Sequence, residues 1–264
     1  MNSIIKPKAL EDYIIMDDIF MNLFFDEDNE VTEYLLRTVL GNEGLKVRRV
    51  VKQMQLVNPG KRGAKLDVYA EDSEGRGYDI EIQRDSEGAH PRRARYYSSL
   101  MDTRMLEPME SFKDLKDSFV IFITEEDTRK EGNEINQFEM IDIKNGRKFE
   151  DGRHIIYVNG SSDDVSTDIG KLIHDLKCKD PKDMYSEVFA RRIRYLKETT
   201  EGRTKMGSEI EVIRQAAKAE FVEERNIEIA MNLLNIGKNS IEDIAKATGL
   251  PVDEIRELAK SKAS

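Results

Sequence analysis

A pair of short apolar strands joined by a turn constrains this chain more than any other part of its sequence. In the stretch KLDVYAEDSEGRGYDIEIQR (65–84), Asp67 faces away from Leu66, and Glu81 faces away from Ile82. The connection EDSEGRG between the two strands is rich in turn-forming residues. The stretch therefore predicts an antiparallel hairpin with acids on one face and apolar side chains on the other.

The register of this hairpin decides which acids meet. A loop that is symmetric about Glu74 pairs Ala70 with Tyr78 and brings Asp67 directly opposite Glu81. Opposite residues have Cβ atoms only ~5 Å apart, so the two carboxylates repel each other, and burial raises at least one pKa. A divalent cation such as Mg²⁺, which prefers oxygen ligands, relieves that repulsion.

The same register brings Lys65 opposite Gln83, on the face that carries the acids. Acids on the solvent-facing side of a hairpin are also common, and Lys65 is then a surface ion-pair partner that contributes little. The spacing by itself leaves both interpretations open.

The remaining apolar patterns predict an α/β region followed by helices. The predicted elements are helices at 16–25 and 31–40 with Gly41 as a stop, a strand at 47–57, the hairpin, a helix from Pro91 to about Leu106, and strands at 118–124 and 154–160. After Gly160 the patterns are almost all helical. We predict a core at 1–160, a helical extension at 161–236 and a small tail at 237–264.

Charge and cysteine content narrow the setting. A formal charge of -10 argues against a protein that coats nucleic acid by bulk attraction, although it allows a local basic groove. The one cysteine, Cys178, excludes an intramolecular disulfide framework, and no apolar stretch approaches the ~20 residues that span a bilayer. The expected location is the cytoplasm.

A strand with an acid, a turn and a strand with E-x-K or E-x-Q is the signature of the PD-(D/E)XK nuclease superfamily. LDVYAEDSEGRGYDIEIQ followed by RRARYYSSLMD closely resembles its Rpn-type recombination-promoting nuclease and transposase family, as do MDDIF, VIFIT and IIYVNG. The resemblance implies a restriction-endonuclease-like α/β core, a mixed sheet flanked by helices, followed by an all-α C-terminal half. It also implies a Mg²⁺-dependent DNA endonuclease, with Mn²⁺ as a substitute, linked to recombination or mobile elements.

Carried over by position, Asp67 and Glu81 are the metal-binding acids, and the main-chain carbonyl of Ile82 is a further ligand. Gln83 stands where the superfamily usually has lysine, whose role there is to orient the attacking water and stabilise negative charge. We therefore expect Lys65 to supply the missing cation from the neighbouring strand.

Two further groups complete the predicted site. Asp17, in the family's D-x-x-F pattern, is a candidate additional acid, although it also suits the start of a helix. Arg92, Arg93 and Tyr96 are the candidate DNA-binding residues, with the arginines on phosphates and the tyrosine stacking on bases or packing on the sheet.

Two other functions fit the sequence. The chain is alternatively a nuclease relic that binds nucleic acid without cutting it, as Gln83 allows, or an oligomeric protein-interaction module. The segment NSIEDIAKATGLPVDEIRELAK resembles a helix-turn-helix, but its second helix offers Asp253, Glu254 and Glu257 against Arg256 and Lys260. We favour a packing or homo-oligomerisation role for it over DNA reading.

Overall fold

The fold is built around a mixed sheet. The computed structural model describes residues 8–26, 28–58, 61–83 and 88–261. Its strands are β1 (Val47–Leu56), β2 (Ala64–Asp72), β3 (Gly77–Gln83), β4 (Ser118–Thr124), β5 (Ile135–Phe138) and β6 (Arg153–Asn159). Across the sheet these described strands follow the order β1-β2-β3-β4-β6-β5.

Strand directions divide the sheet into an antiparallel and a parallel part. Strands β1, β2 and β3 pair antiparallel, β3, β4 and β6 pair parallel, and β5 adds antiparallel to β6. The predicted hairpin register is confirmed, because Ala70 pairs with Tyr78. Strand β5 was not predicted, since its four residues, two half-buried and two exposed, are too few to show a period of two.

Helices flank the sheet and then take over the chain. They are α1 (Asp18–Phe24), α2 (Asn29–Leu40), α3 (Pro91–Met105), α4 (Asp168–Lys177), α5 (Glu187–Glu198), α6 (Thr200–Ile236), α7 (Ile241–Thr248) and α8 (Val252–Ser261). Short 3-10 turns occur at Leu10–Asp12, Phe112–Asp114 and Pro181–Asp183. The mixed sheet with its helices agrees with the predicted α/β core, and every described element after β6 is a helix.

Helix α3 covers the sheet face that matters for the site. Its Ala94 and Met101 share one apolar cluster with Tyr69 of β2, Phe122 of β4 and Tyr157 of β6, and all five are buried. This packing places the first turn of α3 over the ends of β2 and β3.

Helix α1 is held in place by two cations of α5. The guanidinium of Arg192 donates to the main-chain oxygens of Leu23 and Phe24, at 2.7 Å and 3.0 Å, and so caps the end of α1. The buried ammonium of Lys197 donates to the main-chain oxygens of Glu11 and Tyr13, at 3.0 Å and 2.7 Å. The segment that carries the predicted acid of α1 is therefore fixed at both ends.

The chain forms two compact units, with the division between Met206 and Gly207. Helices α4 and α5 belong to the same unit as the sheet, so the predicted boundary at residue 160 falls inside that unit. None of the described helices combines the length and apolar character needed to cross a bilayer.

The second unit packs α7 and α8 on the last turns of α6 around Ala230, Ile244 and Ile255. The two basic residues of α8 form ion pairs within their own helix: Arg256 with Asp253, at 2.9 Å, and Lys260 with Glu257, at 2.8 Å. This pairing offsets their positive charge, which suits a packing role for the tail better than contact with nucleic acid.

Candidate active site

Strands β2 and β3 separate at the point where the predicted acids lie. Their ladder ends at the pair Val68 and Ile80. One residue further, the main-chain N–H of Asp67 donates to Oε1 of Glu81 at 3.0 Å. The carboxylate of Glu81 thus takes the place of a main-chain acceptor, and the two acids face each other through this bond.

A local distortion accompanies the separation. Strand β1 pairs with β2 on both sides of Gln53 and Asp67 but not at these two positions, and Gln53 has a left-handed φ of 48°. Strict alternation would place Leu66 and Tyr69, which are three residues apart, on opposite faces of β2. Both instead contribute to one apolar cluster. The expected alternation of faces is therefore interrupted between these two residues, next to the unpaired Asp67.

Gln83 connects the two acids. Its side-chain nitrogen Nε2 lies 3.3 Å from Oδ2 of Asp67 and 3.3 Å from Oε2 of Glu81. Both carboxylates therefore converge on one donor, at the end of β3 and beneath the start of α3.

Arg93 reaches the same carboxylate from α3. Its Nη2 lies 2.5 Å from Oε2 of Glu81, its Nη1 donates to the main-chain oxygen of Gly88 at 2.9 Å, and its guanidinium carbon lies 4.8 Å from the centre of the Tyr97 ring. The side chain of Glu81 is fully buried and that of Arg93 is 30% exposed. Arg93, predicted to contact DNA, is thus an ion-pair partner of the buried acid.

Asp79 is a third acid at this site, and the sequence analysis missed it. It is completely buried, and neither of its carboxylate oxygens accepts a hydrogen bond from any donor in the described part of the chain. Burial raises the pKa of Asp79 well above its usual value, and the charges of Glu81 and Asp67 raise it further. The surroundings of Asp79 therefore favour its neutral form over its charged form.

The other two acids also bind protons more tightly than usual. Burial, and then the charge of Glu81, raises the pKa of Asp67 to about 7. Burial likewise raises the pKa of Glu81, although Arg93 and the N–H of Asp67 act in the opposite direction. Three acids in one buried patch make a site that gains from a bound cation.

The acid of α1 that acts on this patch is Asp18. Its charge contributes to the raised pKa of Asp67. Both carboxylate oxygens of Asp17, the predicted residue, lie 2.8 Å from Nζ of Lys8, and one also accepts from the main-chain N–H of Ile14 at 3.0 Å. Asp17 thus has contacts that hold the chain entering α1.

The structure shows no hydrogen bond or ion pair between Lys65 and the described acids of the site. The side chain of Lys65 is exposed and forms no hydrogen bond or ion pair with another residue in the described ranges. Its main chain pairs with Gln55 of β1. Since the β2–β3 ladder ends at Val68, it does not set Lys65 opposite Gln83 as the register predicted.

The predicted DNA-binding residues of α3 divide into two groups. Arg92 is exposed. The hydroxyl of Tyr96 donates to the main-chain oxygen of Arg62 and accepts from Nδ2 of Asn58 at 3.2 Å. Tyr96 therefore holds the loop between β1 and β2 against α3, which leaves its hydroxyl in a structural role.

The carboxylate oxygens at the acid patch are suitable ligands for a hard divalent cation. The carboxylates of Asp67 and Glu81 converge, and burial is the main cause of their raised pKa values, with the charge of Glu81 adding to that of Asp67. A bound divalent cation favours the charged form of both acids. Within the described residues, no group of three or more His, Cys, Asp or Glu side chains is placed to hold a metal ion. A cation here would need further oxygens from the main chain, such as Ile82, from water or from phosphate.

Comparison with known proteins identifies the family of this chain. A family model described as PD-(D/E)XK nuclease family transposase matches residues 14–228, from just before α1 into α6. The comparisons with curated proteins and with solved structures found no match. The matched region contains both facing acids, Gln83 and Arg93. Because the family model covers most of its length, the chain belongs to the PD-(D/E)XK nuclease family transposases.

Proposed function

We propose that this chain is a divalent-metal-dependent endodeoxyribonuclease with Asp67 and Glu81 as its metal-binding acids. The observation that carries the proposal is their convergence: both carboxylates lie 3.3 Å from the same Gln83 nitrogen, in a patch that also buries Asp79. Acids are rarely buried together without a partner, because their charged forms lose hydration and repel each other.

The reaction adds one water molecule across a phosphodiester bond. The water oxygen forms a bond to phosphorus, the bond from phosphorus to one sugar oxygen breaks, and the two water protons go to that sugar oxygen and to solvent. When bound, a divalent cation supplies Lewis acidity at the phosphate and a lowered pKa of water. Asp67 and Glu81 bind that cation, and Gln83 holds their oxygens together.

A group of basic residues on α3 and on the loop bonded to it supports contact with a nucleic-acid backbone. Lys61, Arg62 and Arg92 are exposed, and none of them forms an ion pair with another residue in the described ranges. The bonds from Tyr96 to Arg62 and Asn58 join the loop that carries Lys61 to the helix that carries Arg92. Such a group binds phosphates without reading sequence.

A role in recombination or in mobile elements rests on the family alone. One observation favours the alternative of a relic that binds nucleic acid without cutting it. The guanidinium of Arg93 already offsets the charge of Glu81, and Gln83 adds a neutral donor to both acids. A relic retains DNA affinity and shows no requirement for a metal.

Cleavage of supercoiled plasmid tests the proposal. The proteins are wild type, Asp67→Ala, Glu81→Ala and the control Glu74→Ala, whose side chain is 70% exposed in the turn between β2 and β3. Each is assayed with Mg²⁺, with Mn²⁺ and with a chelator. Metal-dependent nicking by wild type and control that disappears in the two site variants supports the nuclease. DNA binding without nicking in every condition supports the relic instead.

A further inference from the structure

We propose that Arg93 is a catalytic residue: its guanidinium contacts the scissile phosphate and supplies the positive charge that Gln83 lacks. This inference rests on the nuclease function proposed above. The strand position that carries a lysine in the superfamily is the neutral Gln83 here. Arg93, on α3, takes the cationic role that we expected for Lys65.

Existing contacts hold the guanidinium of Arg93 beside the carboxylates. Among the described residues, Arg93 is the cation that forms an ion pair with Glu81, through Nη2 at 2.5 Å. A second bond, from Nη1 to Gly88, and the ring of Tyr97 fix the plane of the group. The charge is therefore preorganised beside the carboxylates and needs no large movement to reach a phosphate that they bring in.

The guanidinium of Arg93 has more N–H donors than its two described hydrogen bonds use. A guanidinium has five N–H donors, and the two bonds to Glu81 and Gly88 use two of them. The Nε of Arg93 is buried and has no acceptor in the described part of the chain. Phosphate oxygens are the acceptors that match the fork of a guanidinium, so a backbone phosphate entering the site completes an otherwise unsatisfied group.

Phosphodiester hydrolysis gives a fixed positive charge beside the phosphate a catalytic role. Negative charge builds up on the phosphate oxygens as water attacks, and a fixed cation in a site with little water stabilises that charge more than it stabilises the ground state. Arginine keeps its charge when it is partly buried, whereas the amide of Gln83 contributes only a dipole.

A purely structural role for Arg93 predicts a different outcome. If it only held Glu81 in place, its loss would weaken metal binding. If it contacts the phosphate, its loss lowers the rate of cleavage, while Glu81, freed from its ion pair, binds the metal as tightly as before or more tightly. Binding of Mn²⁺ alone therefore separates the two roles.

The test compares Arg93→Lys, Arg93→Met, Arg93→Met combined with Gln83→Lys, and Lys65→Ala with wild type. Arg104→Met, an exposed arginine in the last turn of α3, is the matched control. Single-turnover cleavage, calorimetric titration with Mn²⁺ and thermal unfolding are measured for each protein. We expect Arg93→Met to lose about 100-fold in cleavage rate, as with the removal of one donor to a transition-state oxyanion.

The remaining variants test whether a lysine at either position supports cleavage. We expect Arg93→Lys to keep the rate within about tenfold of wild type, and Gln83→Lys to restore at least about tenfold to Arg93→Met. Lys65→Ala and Arg104→Met should cleave at the wild-type rate, and all variants should retain Mn²⁺ affinity.

Three results would overturn the inference. Unimpaired cleavage by Arg93→Met removes its role, as does a loss of Mn²⁺ affinity that accounts for the whole loss of rate. A loss of cleavage in Lys65→Ala alone returns the role to Lys65. In each of these cases wild type still cleaves and the nuclease function stands. A wild type that neither cleaves nor binds Mn²⁺ overturns both proposals.

Discussion

The main-chain N–H of Asp67 donates to the side chain of Glu81, across a distance of 3.0 Å. Glu81 therefore belongs to the sheet as well as to the site, because its carboxylate replaces the main-chain acceptor that β2 loses where the strands separate. The two roles have different chemical requirements: the sheet needs an acceptor, and a cation needs a negative charge.

Substitutions at Glu81 separate these roles. Glu81→Gln keeps an oxygen that accepts from Asp67 but removes the charge, whereas Glu81→Ala removes both. We expect both variants to lose cleavage and at least tenfold in Mn²⁺ affinity, and we expect the Gln variant to be more stable than the Ala variant by about 1–2 kcal/mol. Urea unfolding checks the second point, with Glu74→Gln as the control. Equal stabilities would contradict the structural role.

Asp67 gives stability a pH dependence. Its pKa is about 7 in the folded chain and about 3.9 in an unfolded one. Between these values the folded state holds the extra proton, so the free energy of unfolding falls as the pH rises, by an amount on the order of 2–4 kcal/mol above about pH 7. The loss is absent below about pH 4, where both states are protonated.

Urea unfolding in chelator across this range checks the sign. Asp67→Asn should reduce the decline, so that the variant is more stable than wild type at about pH 8 and no more stable at about pH 4. Added Mg²⁺ should raise wild-type stability at the higher pH, where it does not compete with the proton. Parallel pH profiles for the two proteins would show that Asp67 does not titrate as described.

Asp17 and Asp18 form a matched pair of neighbouring acids. Asp18 acts on Asp67, whereas Asp17 binds Lys8 and the main chain of Ile14. We expect Asp18→Asn to weaken Mn²⁺ binding several-fold with little effect on stability. Asp17→Asn should instead cost about 1 kcal/mol of stability with normal metal binding. Reversed phenotypes would return the predicted role to Asp17.

Asp79 should tolerate an uncharged isostere. Burial and the charges of Glu81 and Asp67 favour the neutral form of Asp79, and asparagine is neutral and nearly the same size. We expect Asp79→Asn to change the free energy of unfolding by less than about 1 kcal/mol, whereas Asp79→Leu should cost about 1–3 kcal/mol by removing the polar group and crowding the patch. Denaturant unfolding at neutral pH distinguishes them. A large cost for asparagine would mean that Asp79 is ionised.

Gln53 should be better replaced by glycine than by a β-branched residue. Its φ of 48° lies in the left-handed region, which glycine adopts without penalty. We expect Gln53→Gly to stabilise the protein by up to about 1 kcal/mol and Gln53→Val to destabilise it by at least as much. Thermal unfolding measures both. A more stable valine variant would show that β1 prefers regular pairing opposite Asp67.

Local sequence predicts the hairpin, because turn residues and a period of two specify it over a short stretch. The pairing of Ala70 with Tyr78 follows from the loop length alone. Gly41 likewise ends α2 in the left-handed conformation that its position predicts. These features depend on neighbours in the chain, so the sequence displays them directly.

The contacts that the sequence does not display are those between distant elements. Arg93 meets Glu81 only because α3 packs across the sheet, and its position within RRARYY says nothing of that partner. Asp79 looks like any polar residue on an alternating strand until β4 and α3 bury it. The distortion at Gln53 has no turn residue to indicate it, so the predicted alternation failed there.

The place of Glu81 in the sheet also bears on descent. A lineage that no longer needs cleavage still needs an acceptor for the N–H of Asp67, so selection on the fold continues to favour Glu or Gln at position 81. The carboxylate of Asp67 likewise accepts from the main-chain N–H of Ile82, so both acids have a role in the sheet. The two acids alone are therefore a weak marker of an active homologue.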